Sequence, residues 1–167
     1  MEHLDHVGHI QQQWATERPD LDPRPQGIIG RLHRLAIFLR EEVCAVYAEH
    51  GLTEAEFDVL ATLRRSGEPY SLAPSELAAQ TMVTSGATTK RLDRLVSAGY
   101  VSRQHDDGDQ RRRRISLTAQ GKSKIDEVMT DHLANEARLI AELSANEQSA
   151  LEGALKSWLK HYEPPQG

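Results

Sequence analysis

Four consecutive arginines, Arg111 to Arg114, follow the segment Asp106-Asp107-Gly108-Asp109. Guanidinium groups at that density suit charge-assisted hydrogen bonding to phosphate or carboxylate oxygens. Upstream, Thr84, Ser85, Thr88 and Thr89 place small hydroxyls beside Lys90, Arg91 and Arg94, a mixture that binds phosphate oxygens and base edges. From Thr84 to Thr118 eight Lys/Arg face four Asp, a net of +4, whereas the whole chain carries −5 and the remainder therefore −9. A small basic surface on an acidic body draws a polyanion to one place and repels it elsewhere. A charge run alone is more commonly the mark of a solvated face; the hydroxyl-rich helix next to this one favours double-stranded DNA as the partner.

Other chemistries have weaker claims. There is no nucleophile motif, no Gly-rich phosphate loop and no paired carboxylates in a defined setting, so an enzyme is not expected. His3, His6 and His9 recur every three residues, but no Cys accompanies them and no second cluster has ligand spacing; solvated histidines are expected, with neither metal nor cofactor. Cys44 is the single cysteine. At an apolar helical position it reads as a small buried hydrophobe, with an oxidation sensor as the alternative. The N-terminal Glu2, His3, Asp5 and His6 do not make a basic signal-peptide region, and no long apolar run suggests a membrane span; a cytoplasmic protein is expected.

The elements that must carry the basic segment are legible from periodicity. The chain has 167 residues, 38% hydrophobic, 27% charged and 5% aromatic, which fits one folded domain rich in helix. Leu4, Val7, Ile10 and Trp14 form a stripe on a first helix within residues 1–18. The Pro19 to Pro25 stretch reads as a connector. A long helix is expected over 28–50, its apolar face marked by Leu32, Leu35, Ile37, Phe38, Leu39, Val43, Val46 and Tyr47, with Gly51 as its stop. Thr53 and Glu56 make a capping box for a helix to Arg65 with Phe57, Leu60, Ala61 and Leu63 inward. Tyr70-Ser71-Leu72 suggests a stub strand, Pro74 opens a short helix, and a turn at Met82-Val83 leads to a helix from Thr84 or Ser85 to Ala98. Two strands, Tyr100 to Gln104 and Arg114 to Leu117, then flank a long, charged hairpin tip bearing the other arginines. Thr118 caps a helix to about Leu143, and Ser144 and Glu147 open the last helix to His161.

Helix, short helix, turn, helix, hairpin is the order of a winged helix-turn-helix, here residues 53–117. In that arrangement the second helix lies in the major groove and the hairpin reaches the minor groove. The expected fold is mainly α with a small β-hairpin wing. The candidate DNA contacts are Thr84, Ser85, Thr88, Thr89, Lys90, Arg94, Arg111, Arg112 and Arg113.

Leu77-Ala78, the Thr84 to Leu95 helix with its Arg-Leu-Asp-Arg-Leu, Ala98-Gly99-Tyr100-Val101, Asp109-x-Arg111 and Leu117-Thr118-x-x-Gly121 together resemble the MarR-type transcriptional regulators across nearly the whole chain. The resemblance implies a homodimer built from helices 28–50 and 118–161, binding a pseudo-palindromic operator, with Arg111 at the minor groove and repression as the usual outcome. Gln13-Trp14, Gly30-Arg31-Leu32, the Glu56 to Arg64 helix and Met82 to Gly86 further resemble the urate-responsive branch, which carries an extra N-terminal helix. The branch's ligand residues fall on Trp14, Asp58, Arg91 and Arg103, which implies a small anionic effector. Their chemistry suits a planar anion: a stacking face, two forked donors and a carboxylate that releases an arginine when ligand competes. Gly86-Ala87-Thr88-Thr89-Lys90-Arg91 replaces the branch's usual Gly-Gly-Met-Thr-Asn-Arg, and Gln110 stands where Arg is common, so base preference need not carry over.

Overall fold

A computed structural model describes residues 4–82, 88–106 and 109–163, with only the backbone described for 88–89, 104–106 and 109–112. The chain divides into two compact units, Met1–Ala45 and Val46–Gly167.

In the first unit α1 (His6–Glu17) packs on α2 (Arg24–Glu49), whose last residues enter the second unit. Asp5 caps α1, its Oδ1 accepting from Gly8 N at 2.7 Å. The same carboxylate takes two bonds from Arg31, Nε to Oδ2 at 2.7 Å and Nη2 to Oδ1 at 2.9 Å. Arg31 thereby holds the Asp5 carboxyl below its ordinary range. Val7 is buried, and a Cβ on Gly30 would meet its Cγ1 at 3.1 Å; the small residue lets the helices approach closely. Gln11 Nε2 adds a bond to the Pro23 carbonyl at 2.9 Å. α2 begins at Arg24, four residues before the expected start at Ile28. The reason lies in Pro25, whose fixed φ and missing N–H suit a first turn, and in Asp22, whose Oδ1 accepts from Arg24 N at 3.0 Å.

The second unit is built around α3 (Glu54–Arg65), which packs against α4 (Pro74–Gln80), α5 (Thr88–Ser97), α6 (Ala119–Ile140) and strand β3 (Asp109–Leu117). Because α3 is surrounded, it is buried through almost its whole length; Phe57, Leu60, Ala61 and Leu63 are inside as expected, joined by Val59. Thr53 and Glu56 close both halves of the predicted capping box. From α5, Leu92 and Leu95 enter the same core. At the α6 side, Tyr47 stacks on Phe57 at 4.1 Å between centroids, His132 lies 5.0 Å from Phe57, and Arg64 Nε pairs with Asp126 at 2.7 Å.

The sheet is antiparallel with order β1-β3-β2, where β1 is Ser71–Leu72 and β2 is Val101–Asp106. Ser71 pairs with Ser116 and Leu72 with Ile115; Val101 pairs with Leu117 and Arg103 with Ile115. The architecture is the expected one, mostly helix with a small β-hairpin wing. The strands run further than expected, however, and Arg111 to Arg113 join Arg114 in β3 rather than forming a long tip. Alternation of apolar and polar residues stops at Arg114, and backbone pairing continues without it.

α7 (Ala145–Leu159) is capped by Ser144, whose Oγ accepts from Glu147 N at 3.4 Å, with Glu147 Oε2 accepting from Ser144 N at 2.8 Å. None of its residues is buried, and Leu151, Leu155, Trp158 and Leu159 are exposed. Along α2, Ile28, Leu35, Ile37, Phe38 and Leu39 are exposed as well. Apolar patches on this scale mark contact surfaces.

Candidate functional site

The wing is tied to the helical core at its base. Gly99 takes φ +75, the left-handed turn that ends α5 and that glycine adopts without a Cβ clash. Thr118 Oγ1 donates to the Gly99 carbonyl at 2.6 Å and accepts from Gly121 N at 2.9 Å, so a single hydroxyl joins the end of α5 to the start of α6. Thr118 N donates to the Tyr100 carbonyl at 3.1 Å. A Cβ on Gly121 would lie 1.8 Å from that same carbonyl oxygen. The Leu-Thr-x-x-Gly pattern is therefore a packing requirement: the α6 backbone passes so close to the wing's first strand that no side chain fits.

Several of the basic residues are engaged within the second unit. Arg114 donates from Nη2 to the Ser71 carbonyl at 2.6 Å and from Nε to Ser71 Oγ at 3.1 Å, which clips β3 to β1. Ser116 Oγ donates to Ser71 Oγ at 2.7 Å in the same cluster. Arg103, on β2, pairs through Nη2 with Asp93 of α5 at 2.7 Å. Arg94 Nε lies 3.1 Å from Oε1 of Glu56, a carboxylate only 3% exposed. Lys90 and Arg113 are exposed.

Of the remaining candidate DNA contacts, Thr84 and Ser85 lie outside the described residues. Thr88 and Thr89 open the described part of α5, and Arg111 and Arg112 lie on β3, all four described in backbone only. Among the candidate ligand residues, Asp58 is buried on α3, Arg91 is half-buried on α5 and Arg103 is on β2, all in the second unit. Trp14 lies on α1 in the first unit, about half exposed at 49%. Cys44 is a free, partly buried thiol on α2. No group of three metal-ligating side chains occurs among the described residues, and none of their helices is long and apolar enough to cross a membrane.

The sequence reading missed three structural partners of the basic residues, Ser71, Asp93 and Glu56. Ser71 carried no signal beyond its strand. Glu56 was legible as a cap, but the second use of its carboxylate depends on a residue far along the chain.

The arrangement has close relatives. The sequence profile of the MarR family matches residues 50–112, from the end of α2 into the wing. The chain is 39% identical over 155 residues to the HTH-type transcriptional regulator PecS of Dickeya dadantii, covering 93% of each chain. It is 32% identical over 148 residues to the HTH-type transcriptional repressor YetL of Bacillus subtilis, covering 89% of this chain and 87% of that one. Among solved structures, a mutant MarR from E. coli complexed with operator DNA superposes with a TM-score of 0.67 at 28% identity, over 87% of this chain and 97% of that one. These relatives are transcriptional regulators, not enzymes. With a helix-turn-helix and wing in place and a 39% identical relative spanning 93% of its length, the chain belongs to the MarR family of transcriptional regulators.

Proposed function

We propose that the protein is a homodimeric repressor that binds a pseudo-palindromic operator and is released by a small, planar anion. The observation that carries the DNA half is the joining of α5, with Lys90 exposed, to a wing whose strand β3 holds Arg111 to Arg113. Helix α5 enters the major groove with Thr88, Thr89, Lys90 and Arg94 toward phosphates and base edges, and Thr84 and Ser85, which precede it in the chain, are the further candidate contacts. The wing delivers Arg111, with Arg112 and Arg113 beside it, to the minor groove and its flanking phosphates. The exposed apolar residues of α2 and α7 supply the dimer surface.

The effector is held by Trp14, Asp58, Arg91 and Arg103, with urate as the first compound to test. Arg91 and Arg103 donate to the anion's oxygens, Trp14 stacks on its plane and Asp58 competes for an arginine when the ligand is absent. Support comes from the burial of Asp58 and from the placement of Arg91 on the recognition helix, where a shift toward ligand moves the helix in the groove.

The test is a fluorescence-anisotropy titration of the full chain against duplex DNA from its own upstream intergenic region, with and without urate. Specific binding by the wild type, relieved by urate in wild type but not in Arg91→Ala, is expected. Specific binding that urate leaves unchanged refutes the effector assignment. Arg111→Ala is expected to cost roughly 1–3 kcal/mol of operator binding, and unchanged affinity refutes its place in the groove. Size-exclusion chromatography with light scattering checks the dimer, which Leu155→Arg is expected to weaken.

A further inference from the structure

Glu56 does more than cap its helix. Its Oε2 accepts from Thr53 N and Thr53 Oγ1, both at 2.8 Å, which completes the capping box. The same chain caps α7 with Glu147 and α4 with Glu76, each accepting from the backbone N three residues before it, at 2.8 and 2.7 Å. Both of those carboxylates are on exposed residues, whereas Glu56 is 3% exposed. Capping does not call for burial, and burying a carboxylate is costly unless a counter-charge meets it. The counter-charge is Arg94 of α5, whose Nε lies 3.1 Å from Oε1 while its side chain stays 66% exposed. One oxygen is thus tied to the start of α3 and the other to the recognition helix, beside a surface depression lined by Leu52, Leu95 and Tyr100.

We propose that Glu56 is a positioning residue for DNA binding: it anchors the Nε edge of Arg94 to the N-terminus of α3, so that the guanidinium's remaining edge meets the phosphate backbone in one fixed orientation. Arginine can do this because its fork offers separate donors to two acceptors; a lysine ammonium on its flexible stem cannot hold both in the same way. The inference rests on the reading of α5 as the DNA-binding helix.

The experiment measures binding of full-length wild type, Glu56→Gln, Arg94→Ala, Arg94→Lys and the Glu56→Gln/Arg94→Ala double variant. The probes are the upstream intergenic duplex and a scrambled duplex, over a range of KCl concentrations, with melting temperature recorded for each variant. Glu56→Gln keeps an acceptor for Thr53 and removes the charge. It should weaken binding about tenfold and lower the salt slope by about one, as loss of one phosphate contact does. Arg94→Ala should match it, and the double variant should be no weaker than the weaker single variant. A merely structural Glu56 would add its loss in the Arg94→Ala background; that outcome overturns the proposal. So does Glu56→Gln affinity within twofold of wild type, or above it. If Glu56→Gln does not fold, Arg94→Lys decides: affinity near that of Arg94→Ala supports the anchored fork, and wild-type affinity overturns it. A wild type that binds neither duplex refutes the reading of α5 as well, whereas normal wild-type binding with an unaffected Glu56→Gln refutes this inference alone.

Discussion

Replacing Gly121 by alanine puts a methyl group where the structure has a carbonyl. The new Cβ would stand 1.8 Å from Tyr100 O, 2.7 Å from its carbonyl carbon and 3.0 Å from its Cα, whereas ordinary contact begins at 3.4 Å. These atoms are backbone, and they lie immediately before the strand that forms the wing, so a rotamer change cannot relieve the clash. Either α6 or the Tyr100 peptide must retreat by more than an ångström, which stretches the Thr118 hydroxyl bonds to Gly99 O and from Gly121 N. Overpacking of this kind costs about 1–3 kcal/mol, occasionally more, and a lost N-cap adds about 1. Alanine's higher helix propensity returns at most about 1. The net expectation is about 1–3 kcal/mol of destabilisation, which for a chain of this size lowers the melting temperature by roughly 2–12 °C. Differential scanning calorimetry reads the melting temperature, with Gln120→Ala on the exposed neighbouring position as a control expected within about 0.5 kcal/mol of wild type. Operator affinity of Gly121→Ala, measured below its transition, should also fall, because the wing's base has moved. A melting temperature equal to or above wild type is what helix propensity alone predicts, and it would refute the close-approach argument.

Other expectations follow from single observations. Thr62 Oγ1 is buried without a hydrogen-bond partner among the described residues, so Thr62→Val, which keeps the shape and drops the orphaned hydroxyl, should be neutral or stabilising by up to about 1 kcal/mol in chemical denaturation. A clear loss of stability would mean that the hydroxyl is satisfied in solution. The Asp5–Arg31 pair should make the docking of α1 pH-dependent. Asp5 is held below its ordinary value of 3.8 mainly by the hydrogen bond from Arg31, so its contribution is complete above that value and fades as pH falls through the lowered one. In a Trp158→Phe background, Trp14 emission should change as pH drops below about 4, and Asp5→Asn should flatten that change; an identical profile in Asp5→Asn would contradict the role of the pair. Arg114→Ala should loosen the clip between β3 and β1 and speed amide exchange at Leu72, while Arg113→Ala, on the exposed neighbour, should not.

The parts of this fold readable from sequence are those whose causes are local. The capping boxes at Thr53/Glu56 and Ser144/Glu147 lie within four residues, and the structure closes both. The core face of α3 followed from spacing alone, because amphipathic periodicity reports burial directly. What escaped was non-local or lacked a pattern. Arg114 counted as one more cation in a basic run, and only the register that sets Ser71 opposite Ser116 turns it into a structural clip. The extent of β2 and β3 was missed because apolar–polar alternation stops at Arg114, whereas backbone pairing does not depend on it. Gly121 was visible as part of a motif, yet its reason, the carbonyl of Tyr100, comes from a different element.

The central claim is that α5 and the wing bind duplex DNA specifically, although the chain as a whole carries −5. It is tested most directly by titrating the purified protein against its upstream intergenic duplex and a scrambled duplex across a series of KCl concentrations. The account predicts tighter binding to the intergenic duplex and a logarithm of affinity that falls linearly and steeply with the logarithm of salt, with Lys90→Ala and Arg111→Ala each lowering the slope by about one. Equal affinity for both duplexes, or affinity unmoved by salt, would contradict it.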